Sequence, residues 1–231
     1  MLRSLKATLG FRIESTDGSC GKVRDFHFDS DTGALKYVVV GLGFRYPWRN
    51  VLISADKIVH VEWRDMALCV NLTRTEIGHS PLISADPPIY KQIEEQMREY
   101  SAWVSHWTPL SGMPEPEPAP HRRPGSNRQS FKHLLGYQID TLDGHAARLA
   151  DLFVDDGTWR VRALAVEMGR QEQAIILTEC IRSIVCERRV ICLEIDRAGL
   201  VSAPVHNPFL ADDDTLEERL KAHYARTLQH A

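Results

Sequence analysis

Hydrophobic and polar residues alternate with a period of two in several short stretches of the chain. In residues 20–28, Val23, Asp25 and His27 alternate with residues of the opposite face, as in a strand with one buried side. The preceding Asp17-Gly18 pair supplies the positive φ of a tight hairpin turn. About six short strands separated by turn signals predict a small barrel or sandwich. We expect these strands at residues 11–15, 20–28, 34–43, 50–53, 58–63 and 67–72.

The same pattern occurs twice. Residues 9–40 recur 126 positions later as residues 135–166, and after a loss of three residues the match continues at an offset of 123, from residues 51–53 onwards. The lost residues fall in the loop that the first copy spells FRYPWR. Because a repeat of this kind marks a repeated structural unit, it predicts two domains with the same fold. The matched pairs include Leu9 with Leu135, Gly10 with Gly136, Ile13 with Ile139, Asp25 with Asp151 and Val40 with Val166.

An amphipathic helix is expected after each copy. In residues 86–107, apolar residues recur at spacings of three and four. A second helix begins near Thr215 with a capping-box pattern, and Leu216, Leu220, Tyr224 and Leu228 form its apolar face. Between the copies, a proline-rich stretch favours an extended linker. The predicted domains are residues 1–85, first barrel; 86–107, helix; 108–129, linker; 130–211, second barrel; and 212–231, C-terminal helix.

A set of short motifs in the first copy points to a known family. These are Leu9-Gly10, Asp17-Gly18, Gly21-Lys22-Val23, Asp25, Phe28-Asp29, the strand Tyr37 to Val40, Val51-Leu52-Ile53 and the stretch from Leu72-Thr73-Arg74 to Ser80-Pro81. With these motifs the repeated unit resembles the PRC-barrel family, which is named for the photosynthetic reaction centre and shared with the bacterial ribosome maturation factor. The resemblance covers residues 5–83 well and residues 131–206 less well. It implies a mainly β protein of bacterial type with two six-stranded PRC-like barrels in tandem, used as an adaptor, and the family has no catalytic residues common to its members.

Composition narrows the class of protein. The chain has 43% hydrophobic residues and a net charge of −3, so no global charge draws it to nucleic acid or to an anionic membrane. Its five cysteines are odd in number and lack CxxC spacing, which argues against a disulfide framework and a zinc site. No apolar run approaches the roughly 20 residues of a membrane span. We therefore expect a cytoplasmic protein without membrane insertion.

Candidate chemistry is sparse in the sequence. The acidic residues Asp25, Asp29 and Asp31 suggest a site for a hard cation, but their spacing lacks the twelve-residue calcium loop, and Asp-Thr-Gly is ordinary turn chemistry. The ten histidines form no HExxH pair. Nucleophile and nucleotide-binding motifs are also missing from the sequence. We therefore predict no catalytic residues, no metal ligands and no cofactor.

The FRYPWR loop is the strongest candidate for partner binding. Aromatic and guanidinium groups of this kind dominate protein interfaces and also stack on nucleic-acid bases. The alternative is that Phe44 and Trp48 only cap the end of the barrel. The candidate partner-binding residues are Phe44, Arg45, Tyr46, Trp48 and Arg49.

The first helix has two interpretations. Its aromatic stripe either covers a barrel as ordinary core or forms the interface of a homodimer, because a chain with long amphipathic helices can pair or exchange them. The stripe consists of Tyr100, Trp103, Val104 and Trp107.

Three functions follow from these observations. The first hypothesis is a non-enzymatic adaptor that binds an unidentified protein through the PRC-like barrels. The second is an RNA-linked or ribosome-associated factor, which is less favoured because a nearly neutral unit offers few phosphate contacts. The third is an enzyme or small-ligand binder with its site between the barrels.

Overall fold

The structure is a computed structural model that describes residues 1–43, 49–83, 128–168, 173–206 and 216–227. The protein is mainly β, with two sheets, as the sequence predicts. The strands are β1 Leu2–Ser4, β2 Arg12–Ser15, β3 Gly18–Asp29, β4 Leu35–Gly41, β5 Asn50–Ser54, β6 Ile58–Glu62, β7 Ala67–Val70, β8 Arg128–Ser130, β9 Gln138–Thr141, β10 Gly144–Asp155, β11 Arg160–Glu167, β12 Gln173–Leu177, β13 Ile181–Val185, β14 Val190–Leu193 and β15 Val205–His206. The described helices are Leu5–Thr8, Arg74–His79, Phe131–Leu134, Arg197–Ser202 and Leu216–Thr227.

The chain divides into two compact units. The first unit contains Gly10–Asp31 and Lys36–Arg128, and the second contains Met1–Leu9, Thr32–Leu35 and Gln129–Ala231. The sequence repeat assigned residues 1–85 entirely to the first domain. The structure instead groups the N-terminal arm, Met1–Leu9, with the second unit, because strand β1 pairs with β10 there.

The first unit has a sheet in the order β5-β4-β3-β2-β7-β6. Strands β2 and β3 form the hairpin that Asp17-Gly18 predicts, and β2 then pairs in parallel with β7. Inward-facing residues of these strands are almost fully buried and form the core of the unit, since alternate side chains of a strand share one face. They include Ile13, Val23, Val38, Val40, Val51 and Ile53.

The second unit has the matching strand order β12-β11-β10-β9-β14-β13, again with one parallel pair, β14 with β9. Its buried positions are equivalent, in the sequence repeat, to the core residues of the first unit. They include Ile139, Leu149, Leu164, Val166, Ala174 and Ile176. The two sheets therefore use the same periodic pattern in the same topology.

The C-terminal helix, Leu216–Thr227, forms where the sequence predicts it. Leu216, Leu220 and Tyr224 are buried, and the Tyr224 hydroxyl donates to the Ile175 carbonyl at 3.0 Å. This helix contacts β12 through Tyr224, and the predicted apolar face is buried at these three residues.

Two features differ from the sequence prediction. Short helices at Arg74–His79 and Arg197–Ser202 follow the sixth strand of each unit, where no helix was expected. Arg128 and Gln129, the last described residues of the predicted linker, lie in strand β8. The predicted helix 86–107 lies outside the described residues, as does the linker before Arg128.

Candidate interaction face

One aspartate in each unit ties the first hairpin to the short helix. The Asp17 carboxylate accepts a hydrogen bond from the Arg74 backbone amide at 2.7 Å. The Asp143 carboxylate accepts one from the Arg197 backbone amide at 2.9 Å. The Arg74 amide and then the Ser15 hydroxyl hold the pKa of Asp17 below its ordinary value. The two contacts occupy equivalent positions and therefore belong to the shared scaffold.

Asp151 binds the N-terminal arm within the second unit. Its carboxylate accepts the Lys6 amide at 3.0 Å and the Leu152 amide at 2.7 Å, and the Ser4 hydroxyl donates to its other oxygen. Burial raises the pKa of Asp151 to about 6 despite these hydrogen bonds. The most strongly perturbed carboxyl of the described residues thus serves to attach the arm.

Cys69 stands between an imidazole and a carboxylate on neighbouring strands. In the strand register it pairs with His60 on β6 and with Glu14 on β2. Burial, followed by the charges of Glu14 and Glu62, raises the pKa of the Cys69 thiol. A thiol needs a lowered pKa to act as a nucleophile near neutral pH, so this arrangement does not activate Cys69.

Most of the predicted partner-binding loop lies outside the part of the chain that the structure describes. Phe44, Arg45, Tyr46 and Trp48 lie outside the described residues, and only Arg49 is described. Its Nη2 donates to the Gly78 carbonyl at 2.8 Å, near the end of helix Arg74–His79. A cation is favourable at a helix C-terminus, so Arg49 has a structural contact in addition to any contact with a partner.

The predicted helix stripe of Tyr100, Trp103, Val104 and Trp107 also lies outside the described residues.

The acidic residues Asp25, Asp29 and Asp31 are described; Asp29 and Asp31 lie at the turn that follows β3, and Asp25 lies within β3. Asp29 accepts the Asp31 amide at 3.0 Å, and Asp25 accepts the Phe26 amide at 2.8 Å. Within the ranges that the structure covers, no three His, Cys, Asp or Glu side chains group as metal ligands.

A cluster of exposed cations, which sequence analysis did not identify, lies on the first unit. Lys22 and Arg24 are exposed on the same side of β3, and exposed Arg12 on β2 is the register partner of Lys22. Arg12 approaches Glu14 at 3.7 Å. In the described part of the chain, no carboxylate lies within salt-bridge distance of Lys22 or Arg24. We call Arg12, Lys22 and Arg24 the cationic face.

The second unit lacks this face. At the positions equivalent to Arg12 and Arg24 it has Gln138 and Ala150, so only Arg148 remains, in the position of Lys22. The signal was therefore present in the sequence as a difference in charge between equivalent positions of the matched strands. Strand pairing was needed to bring Arg12 beside Lys22.

No helix in the described ranges has both the length and the apolar character to cross a membrane. Neither the protein-family models nor the curated proteins include a match to this chain.

Proposed function

We propose that this protein is a non-enzymatic adaptor whose two units are PRC-like barrels and whose first unit binds a protein partner. The resemblance to the PRC-barrel family supports the closed-barrel arrangement and the adaptor role. Internal duplication would then provide one scaffold used twice, with different surfaces.

The observation that carries this proposal is the unequal surface of two otherwise similar units. Buried positions and the aspartate contacts with the short helices occur in both units, whereas the cationic face occurs in the first alone. Residues needed for folding are expected in both copies, and residues needed for a partner are free to differ. Arg12, Lys22 and Arg24 are therefore the described residues that we assign to binding.

The two buried groups with strongly shifted pKa values, Asp151 and Tyr224, have structural roles. Asp151 attaches the arm, and the Tyr224 hydroxyl donates to a backbone carbonyl. Perturbed pKa values also mark catalytic sites, but Asp151 and Tyr224 each use the perturbed group in a contact that holds the fold together.

The test is affinity purification with the tagged full-length protein after mild crosslinking in a native lysate. We expect a protein partner that is enriched over a tag-only control and is reduced by the loop variant R45A/W48A/R49A, by the face variant K22Q/R24Q, or by both. The second-unit variant R148Q is the matched control and should retain the partner. Enrichment of no protein, or equal recovery with all three variants, would overturn the adaptor proposal.

An RNA-linked function is the second candidate, and it is favoured by Lys22 and Arg24, which have no carboxylate within salt-bridge distance among the described residues. Phosphate contacts would make such binding fall steeply with salt. Nuclease treatment of the lysate before purification separates the two, since a partner held through RNA is then lost.

A further inference from the structure

The equivalent strands of the second unit provide a comparison for the cationic face of the first unit. In the second unit, Arg148 on β10 lies directly opposite Glu167 on β11 in the antiparallel register. Both residues are exposed, and their backbones form one cross-strand pair, although the two side chains form no salt bridge within the described residues. The second unit thus has an acidic residue at the strand position next to its cation.

The first unit has a glycine where that acid would stand. Gly41 on β4 occupies the position equivalent to Glu167, and Lys22 occupies the position of Arg148. The first unit therefore has more cations at this surface and lacks the carboxylate that the second unit provides.

The Arg24 side chain occupies the space that a side chain at position 41 would fill. A Cβ atom at Gly41 would lie 2.7 Å from Arg24 Nε and 3.1 Å from Arg24 Cγ. The same position is 3.2 Å from Asn50 Oδ1. The Arg24 side chain therefore crosses the bare backbone of β4 and brings its guanidinium beside a polar amide.

We propose that a partner supplies the missing carboxylate, and that the cationic face binds an acidic, extended segment of a protein. This inference rests on the proposed adaptor function and specifies the chemistry of its partner. Guanidinium groups bind carboxylates through two parallel hydrogen bonds, which suits Arg24 as the primary contact.

Spacing further defines the segment. Side chains two residues apart on one strand face lie roughly 6.6 Å apart, which is the separation expected between Lys22 and Arg24. An extended peptide has the same period, so acidic residues at alternate positions align with both cations. The favoured ligand therefore has Glu or Asp at every second residue.

Carboxylate is favoured over phosphate for two reasons. The equivalent strand pair of the second unit has an acidic residue, Glu167, in register with its cation. Glu14, 3.7 Å from Arg12, also adds a negative charge at the side of the face, which opposes the higher charge density of a nucleic-acid backbone.

The test uses the purified full-length protein and a fluorescein-labelled eight-residue peptide of alternating Ser and Glu, with fluorescence anisotropy as the measurement. A peptide of alternating Ser and Gln is the ligand control. We expect saturable binding of the acidic peptide, weakened at least tenfold by K22Q/R24Q and less than twofold by R148Q. Unchanged thermal unfolding of each variant shows that the fold is retained.

Equal weakening by K22Q/R24Q and R148Q, or none by either, would overturn the assignment of this face. So would tighter, face-dependent binding of a ten-nucleotide single-stranded RNA. Peptide binding that appears only after Asp212, Asp213 and Asp214 are changed to Asn would assign the face to the chain's own acidic segment instead. If affinity purification yields a partner insensitive to K22Q/R24Q, the adaptor function stands and this inference fails.

Discussion

Asp151 is a buried carboxyl whose ionisation opposes folding of the second unit, although its hydrogen bonds with the arm favour the ionised form. Its pKa in the folded protein, about 6, lies above the ordinary value of 3.8 because of burial. A group with a raised pKa favours the folded state when it is protonated. The stabilising contribution is therefore complete below about pH 4 and is lost as the pH rises through 6.

Replacement of Asp151 by Asn should remove this dependence. The amide oxygen can still accept the Lys6 and Leu152 amides, and no charge is buried at any pH. A shift of roughly two pH units corresponds to about 3 kcal/mol, so we expect D151N to raise the free energy of unfolding at pH 7.5 by up to that amount. Urea unfolding at pH 4.5 and pH 7.5 measures it. A variant that is less stable than the wild type at pH 7.5 would contradict the sign.

Asp17 should show the opposite behaviour. Its pKa is lowered by the Arg74 amide and the Ser15 hydroxyl, so its contribution to stability is present above pH 3.8 and is lost as the pH falls below that value. We expect D17A to lower the melting temperature at pH 7, with a smaller effect at pH 3. D17N keeps an acceptor for the Arg74 amide and serves as the control. Equal losses for both variants at both pH values would argue against the hydrogen bond.

At the scale of elements, the C-terminal helix gains its position from one aromatic and two leucine contacts. Tyr224 is buried, and its hydroxyl satisfies the Ile175 carbonyl of β12. Loss of one buried hydrogen bond costs about 1 kcal/mol, whereas truncation of a buried leucine costs about 3 kcal/mol.

We therefore expect Y224F to destabilise the second unit less than L220A does. Amide hydrogen exchange of β12 should increase in both variants, in that order, with little change in β5 of the first unit. A reversed order would show that the hydroxyl contributes more than the packing of the helix.

Local periodicity explains which elements were predictable. Strands β2 to β7 and β9 to β14 and the helix at Leu216–Thr227 each repeat a hydrophobic pattern over enough residues to be recognised, whereas β1, β8 and β15 have only two or three residues and were not predicted. The helices Arg74–His79 and Arg197–Ser202 span fewer than two turns, which is too short for such a pattern. Thr73 and Glu76 do form a capping box, and this local signal was available in the sequence.

At the scale of the whole molecule, the arm shows what a repeat does not reveal. Residues 2–9 and residues 128–135 resemble each other, so their local pattern is compatible with either unit. The choice depends on tertiary contacts such as the one between Ser4 and Asp151, and no periodicity encodes it. The cationic face has the same origin, since the order of the strands brings its residues together.

Leu5 provides a direct test of the division into units. It belongs to the first copy in sequence, but it is fully buried and grouped with the second unit. We expect L5A to cost about 3 kcal/mol and to increase hydrogen exchange in β10 and β11 rather than in β3 and β4. Leu68, fully buried in the first unit, provides the matched variant L68A with the opposite distribution. Greater exchange in β3 and β4 for L5A would contradict the observed grouping.

The position of the arm also imposes an order on folding during synthesis. Residues Leu2–Ser4 pair with Phe153–Asp155, so about 150 residues must be added before the arm meets its strand. At the usual 5–20 residues per second, this interval is roughly 8–30 seconds. During it, Leu5 has no access to the core that will bury it. The wait of the arm for its partner strand is therefore a direct result of where this short strand pairs.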